Sequence, residues 1–314
     1  MLIPNVAWCE YGHYISCPFC DSKDYKPHIH EEFAWVTVSI VRCDDCGHCY
    51  ANPCPTPEAA ANHYNSQYLR QKGTALPESL EAIADPSSVW AAKMRHYEFI
   101  LSTIPQLAPD IRVLDDGCSW GGLLATVHKY YPDADLTGVD LANDSIEFVT
   151  KTFGFTGAVG TLIDYVAANP LAKFDLILSS HCLEHSLAPR ESIAAMVSAL
   201  APEGQLFITL PNHDAYLRKH MGGFAPAVRG GNHYQFFNEA FLQQALEEAG
   251  LIVECSFTSS EVSPYRSVIQ ERLVANNDIR AGMPDAVEMV DAEGEGEFIY
   301  ILAKKRRNDK SGCE

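Results

Sequence analysis

Between residues 111 and 210, short apolar runs alternate with segments whose apolar positions recur at helical spacing. The runs predict strands at 111–115, 135–140, 157–161, 174–180 and 204–210. The intervening patterns predict helices near 121–131, 143–153 and 190–200. A strand–helix rhythm of this kind builds a parallel sheet with helices on both faces, and its ligands sit at the carboxyl ends of the strands. Downstream, a helix over Glu239–Ala249 closed by Gly250, a strand near 251–258 and a last strand over Glu297–Ala303 continue the pattern; an acidic, glycine-containing stretch fills Asp278–Glu297. Upstream, Phe33–Val41 is rich in strand formers. Thr56-Pro-Glu58 reads as a helix start, and Tyr64 and Tyr68 follow at i, i+4. Residues 70–86 are polar and read as a loop or lid, and Ser87–Ile104 again has helical spacing, carried by Val89, Met94, Tyr97, Ile100 and Leu101.

The most informative stretch is 111–122. The apolar run Ile111–Leu114 ends in Asp115 and Asp116, a small-residue turn follows, and a helical pattern starts at Leu123. About 19 residues past the turn, Leu136-Thr-Gly-Val-Asp140 also ends in an acid. Glycines for close backbone approach and an acid at the next strand's tip form the layout of a nucleoside site. The turn reads Gly117-x-Ser119-x-Gly121, which is not the dinucleotide fingerprint. Asp115, two residues before the first glycine, would repel a pyrophosphate and suits a cationic amino-acid ligand. The same string occurs at hydrolase nucleophile elbows, but the acids at 115 and 140 fit that arrangement poorly.

Composition narrows the class. A chain of 314 residues, 47% hydrophobic, can hold one large domain and a small one. Its net charge of −18 and pI near 5.0 argue against broad nucleic-acid or anionic-membrane binding. No apolar run approaches the roughly 20 residues that span a bilayer, and the start of the chain lacks a signal-peptide pattern, so a cytoplasmic protein is expected. Eleven cysteines are present, and the cluster Cys9, Cys17, Cys20, Cys43, Cys46, Cys49 and Cys54 lies at the start of the chain. An odd total without an export pattern points away from a disulfide framework, and the clustering points to a metal.

Cys17-Pro-Phe-Cys20 and Cys43-Asp-Asp-Cys46 form two C-x2-C knuckles flanking a strand-forming segment, the make-up of a zinc ribbon. Four thiolates close a tetrahedron around Zn²⁺ and leave no open position, so the expected metal is structural. His48, Cys49, Cys9, His13 and Cys54 are nearby spare ligands.

The stretch VLDDGCSWGG resembles motif I of the class I S-adenosylmethionine-dependent methyltransferases, with Ser119 where that family usually has its middle glycine. CDDCGHCYANPCP resembles the segment that precedes the methyltransferase domain in many bacterial small-molecule and glycan methyltransferases, and FDLILSSHCLEH resembles the family's motif after strand four. Pro211-Asn212 and the block from Asn232 to Gly250 resemble later family motifs. The resemblance implies a doubly wound, Rossmann-like α/β fold with a seven-stranded sheet, its last strand antiparallel, and a small N-terminal zinc ribbon. The implied division is a ribbon at 1–55, a helical linker or lid at 56–110, and a methyltransferase domain at 111–307 with an acceptor-side insertion at about 211–236.

For S-adenosylmethionine, the resemblance implies Asp115 at the methionine ammonium, Gly117, Ser119 and Gly121 giving backbone clearance, Asp140 at the ribose diol with Leu141 beside it, and Asp164 at the adenine amino group with Ile163 or Tyr165 on the ring. Ser180, His181, Glu184 and His185 then fall over the methyl group. A histidine can take a proton from the attacking acceptor. His181 is the first candidate, with His185, His233 and His213 as others, and Glu184 with His185 could instead bind a divalent ion. The implied reaction is direct displacement onto a small-molecule, nucleotide-sugar or glycan-precursor acceptor, with the ribbon shaping the acceptor pocket or a homodimer contact. Two alternatives are a methyltransferase acting on protein or RNA, where the acidic balance counts against RNA, and a non-catalytic S-adenosylmethionine-binding or zinc-mediated interaction protein. The intact Asp115, Gly117, Gly121 and Asp140 set counts against the second. Lys304–Arg307 reads as a solvated tail.

Overall fold

The structure, a computed structural model, describes residues 12–32, 37–63, 76–84, 91–222, 225 and 233–306. Tyr64, Tyr68, Cys9, Arg307 and most of the glycine-containing part of the 211–236 segment lie outside these residues. In chain order the strands are β1 (Gly12–His13), β2 (Tyr25–Glu32), β3 (Thr37–Cys43), β4 (Cys49–Ala51), β5 (Cys54–Pro55), β6 (Arg112–Asp116), β7 (Asp135–Asp140), β8 (Thr156–Val159), β9 (Phe174–Ser180), β10 (Leu200–Pro211), β11 (Gln235–Phe236), β12 (Leu251–Ser259) and β13 (Phe298–Lys305). The helices are α1 (Pro57–His63), α2 (Leu80–Ala84), α3 (Ala91–Ser102), α4 (Gly122–Tyr130), α5 (Asn143–Phe148), α6 (Leu162–Ala168), α7 (Pro189–Ala199), α8 (Tyr216–Met221), α9 (Glu239–Glu248), α10 (Arg266–Ala275) and α11 (Ala286–Val290).

The main sheet has seven strands in the order β12-β13-β10-β9-β6-β7-β8. Pairings from β10 through β8 are parallel, and β13 is antiparallel to both β10 and β12, as expected of the last strand. Side chains alternate between two buried faces. Leu114, Ile177, Leu206, Ile208, Ile299 and Ile301 face one core with Ile193 and Met196 of α7 and Leu242 and Leu246 of α9. Val113, Leu176, Leu178, Phe207, Tyr300 and Leu302 face the other with Ile100 of α3 and Leu124 and Val127 of α4. Each such side chain contributes about 1.5–3 kcal/mol by leaving water, which is why central strands read as unbroken apolar runs.

Two segments differ from the sequence reading. The residues after β8, where the sequence reading places no helix, form α6: Thr161 caps its amino end and Asp164 answers in a reciprocal capping box. The stretch before β13 holds α10 and α11, whose Ile269, Leu273, Val287 and Val290 bury against Tyr216 and Leu217 of α8. Their short apolar stripes interrupt an otherwise polar stretch and need α8 as a partner.

The cysteine-rich segment forms a second, four-stranded antiparallel sheet in the order β11-β4-β3-β2. Its edge strand comes from far along the chain: Gln235 pairs with Tyr50 and Phe236 with Cys49. The Ala51 amide donates to the Tyr234 carbonyl at 2.8 Å, and the Tyr234 amide donates to the Glu184 carbonyl at 2.8 Å. Gln235 continues the link. Its Nε2 donates to the Ser186 carbonyl and its Oε1 lies 2.9 Å from His48 Nε2, so that nitrogen carries the hydrogen. Burial pushes the His48 imidazole down to about 4, keeping it neutral. His48 is therefore a structural residue rather than a spare ligand. Phe19 packs edge-on against Phe241 and His48, and Arg190 donates to the Phe19 carbonyl and to Asp21.

Replacing Gln235 by Ala strands the buried His48 N–H and the Ser186 carbonyl. Urea unfolding of Gln235→Ala is expected to show a loss of about 1–3 kcal/mol. Unchanged stability would mean that this amide does not tie the two sheets.

Candidate functional site

The carboxyl ends of β6, β7 and β9 frame the site. After β6 the chain turns through Gly117 (φ 77°), Ser119 (φ 50°) and Gly121 (φ 78°). A methyl group at Gly117 would lie 2.8 Å from Cys182 Sγ, and one at Gly121 would lie 2.8 Å from Val149 Cγ2, so both positions need glycine for space as well as backbone conformation. The turn is fastened to β7. The amides of Gly117 and Cys118 donate to the Val139 carbonyl, and the Ser119 amide donates to Asp140 Oδ2 at 2.8 Å. Asp140 Oδ1 accepts from the Ala142 amide at 2.7 Å. Leu141, beside it, is 41% exposed despite being apolar.

Asp115, Asp116 and Asp140 are buried together at these strand tips. Burial and the charges of Asp116 and Asp140 push the Asp115 carboxyl well above the usual range. Burial pushes Asp116 up to about 6, against hydrogen bonds from Cys182 and Ser179 that favour its charged form. Three acids buried together at the strand tips favour a cationic ligand over an anionic one. Asp164 stands apart as a helix cap: its Oδ2 accepts from the Thr161 amide and hydroxyl.

The end of β9 carries Ser180, followed by His181 at φ 53°. Its Nδ1 lies 3.4 Å from Glu184 Oε1, and His185 Nε2 lies 3.9 Å from the same oxygen. His233 completes the group: its ring is 4.8 Å from that of His185, and donor atoms of Glu184, His185 and His233 lie within 4.8 Å of one another. Burial alone would raise the Glu184 carboxyl, but the facing His181 imidazole and the charges of His185, His181 and His233 bring it down to about 2. The three candidate histidines thus surround one buried carboxylate. His213 leaves this group; its Nε2 lies 2.9 Å from His28 Nε2 of β2.

The structure adds residues that the sequence reading did not single out for the site. His96 of α3 lies with its ring 5.7 Å from that of His181. Burial, then the charge of His181, pushes His96 down to about 4. Tyr97, seen in the sequence only as an apolar helix position, is close enough to Asp115 for that charge to raise its phenol beyond the effect of burial.

Cys17, Cys20, Cys43 and Cys46 converge from the two knuckles. Cys17 and Cys46 sulfurs are 3.5 Å apart, as are those of Cys20 and Cys43, and all four lie within 4.8 Å of one another. A zinc tetrathiolate with Zn–S bonds of about 2.3 Å has sulfur–sulfur edges of about 3.8 Å, so the four atoms fit that ion with small adjustments.

A family model described as a methyltransferase domain matches residues 90–256, more than half of the chain. The malonyl-[acyl-carrier protein] O-methyltransferase of Anoxybacillus flavithermus is 31% identical over 101 residues, which cover 32% of this chain and 39% of that protein. The ubiquinone biosynthesis O-methyltransferase of Thiobacillus denitrificans is 30% identical over 179 residues, covering 54% of this chain and 75% of that one. Among solved structures, geranyl diphosphate C-methyltransferase from Streptomyces coelicolor A3(2), in complex with Mg²⁺, geranyl-S-thiolodiphosphate and S-adenosyl-L-homocysteine, superposes with a TM-score of 0.52. It is 14% identical, and the alignment covers 80% of this chain and 99% of that chain.

The carboxylates leave a pH signature. Asp116 has a folded value of about 6 against an ordinary 3.8, so its stabilising contribution is complete below about pH 4 and is lost as pH rises through 6. Asp116→Asn removes that loss. Its unfolding free energy should fall less than the parent's between pH 4 and 7, by on the order of 2 kcal/mol, in urea titrations across that range. Parallel pH profiles would show that Asp116 is already ionised at pH 4.

Proposed function

The chain belongs to the class I S-adenosylmethionine-dependent methyltransferase family, and on that premise we propose that it transfers the methyl group to a small-molecule acceptor by direct displacement. The observation that carries this reading is the left-handed turn at 117–121, hydrogen-bonded to the Asp140 carboxylate beside two further buried acids. S-adenosylmethionine, when bound, supplies an electrophilic methyl on a cationic sulfur.

The chain's own groups divide the remaining work. Gly117, Ser119 and Gly121 let the backbone approach the ligand. Asp140 accepts the ribose hydroxyls, its carboxylate oriented by the Ser119 and Ala142 amides. Asp115 faces the ammonium, whose charge offsets the cost of an ionised buried acid. Leu141 offers an exposed apolar surface to the adenine, and Asp164, with Ile163 beside it, is assigned to the adenine amino group through the carboxylate oxygen that Thr161 does not use. Ser180 lines the methyl side.

His181 is the assigned base. Glu184 faces its Nδ1, which favours the tautomer with hydrogen on Nδ1 and a lone pair on Nε2. Nε2 then takes the acceptor's proton as the methyl moves, while His185 and His233 position the acceptor. Positioning and water exclusion supply most of the remaining rate. Zn²⁺ held by Cys17, Cys20, Cys43 and Cys46 would fix the knuckles that support β4 and β11. Among the described residues no helix is long and apolar enough to cross a membrane. Nucleotide sugars are the first acceptors to screen, because the knuckle segment resembles that of glycan methyltransferases.

Calorimetric titration with S-adenosylmethionine, S-adenosylhomocysteine and, as control, NAD tests the cofactor. Binding to the first two alone is expected, and Asp140→Ala should weaken it at least about tenfold with circular dichroism unchanged. Unaltered affinity would remove Asp140 from the site. Once an acceptor is found, His181→Ala should lower kcat by about 100-fold or more without changing cofactor affinity. A loss confined to His185→Ala would move the base to His185.

A further inference from the structure

A second group of metal-ligating side chains stands at the junction of the two sheets, away from the four knuckle cysteines. His28 comes from β2, Cys49 from β4 and His213 from the loop after β10, and one donor atom of each lies within 4.8 Å of the others. His28 and His213 approach Nε2 to Nε2 at 2.9 Å. We propose that these three side chains form a second transition-metal site, with zinc the fitting probe, that clamps the small sheet to the main one.

Local structure favours the convergence. In β2, Pro27 pairs with Val41 and Ile29 with Ile40, so His28 is the extra residue of a β-bulge. In regular register residues 28 and 29 would point to opposite faces. The bulge turns His28 toward the face of Ile29, Ile40 and Cys49, and re-aiming a side chain is a common use of bulges. His213 is held from behind: its amide donates to the Phe237 carbonyl at 2.7 Å, and its carbonyl accepts from Arg218 Nε. Cys49 is 5% exposed and packs with Ile40, Ala225 and Phe236, so one side of the site is dry. Three donors preplaced by separate elements bear little further ordering cost on binding.

The donor set selects the ion. Two imidazoles and a thiolate suit zinc, cobalt or copper and give no oxygen ligands for magnesium or calcium. A tetrahedral ion with Zn–N bonds of about 2.0–2.1 Å separates two nitrogens by about 3.3 Å, so the rings need to spread by only a few tenths of an ångström. Burial pushes the Cys49 thiol up, but Arg42 and Arg218 oppose this by favouring the thiolate that a metal needs. Arg218 is itself paired with Asp214 at 3.3 Å, which limits its repulsion of a cation. Three protein donors leave a fourth position, toward the side where His28 is exposed, for water or another ligand.

The test is metal content. The full chain, loaded with Zn²⁺ and desalted, should carry about two equivalents by elemental analysis, and His28→Ala and Cys49→Ser about one each. His28 is a surface residue, so its replacement leaves the packed cores in place. Loading with Co²⁺ gives an independent reading: the spectrum of His28→Ala should lose the component from mixed imidazole–thiolate ligation and keep the tetrathiolate bands. Metal content and cobalt spectrum both unchanged by His28→Ala would overturn the proposal.

Discussion

Residues 233–237 hold the two sheets together, and the rest of the arrangement depends on them. Tyr234 donates to Glu184 and accepts from Ala51, Gln235 bridges His48 and Ser186, and Phe237 accepts from His213. These groups are largely shielded from water, where an unpaired polar atom costs about 1–3 kcal/mol. The segment therefore cannot move away from either sheet without stranding several of them. It makes the cysteine-rich sheet a structural extension of the loop that brings His233 to Glu184, so the four-cysteine knuckles and the candidate catalytic histidines share one hydrogen-bonded frame.

The charge at the strand tips sets a second constraint. Asp115, Asp116 and Asp140 are costly to ionise together where they are buried, and the upward displacement of Asp115 and Asp116 has that cause. The fold also tolerates non-glycine residues at positive φ on both loops that frame the pocket, Ser119 and His181. Such strain, on the order of 1–3 kcal/mol per residue, concentrates where geometry serves a ligand. A cationic ligand relieves the electrostatic part. The same wall would repel a dinucleotide pyrophosphate, and Ser119 in place of that fingerprint's middle glycine agrees with it.

At the other loop, Glu184 gives direction to residues that would otherwise be interchangeable. Three histidines lie around it, yet only His181 presents Nδ1 to the carboxylate at 3.4 Å from the end of a sheet strand. A strand end is a stiffer mount than the loop carrying His233. His96, pushed down to about 4 by burial and by the charge of His181, stands neutral beside it.

By itself the sequence determined what depends on neighbours along the chain. The apolar runs specify the strands of the main sheet, because burial on both faces requires unbroken apolar strands. The 115–121 turn was legible because small residues and acids must be contiguous to form it, and the four knuckle cysteines because each pair shares a tight turn. Tertiary structure alone decided what depends on distant partners. β11 joins the small sheet, His48 becomes a neutral core residue, and His213 turns to His28 rather than to Glu184. Asp164 illustrates the boundary: its capping partner is three residues away, but only the packing of α6 shows that the box forms. Local spacing encodes which elements form, whereas contacts between residues well over a hundred positions apart are set by how the finished sheets bury their polar groups.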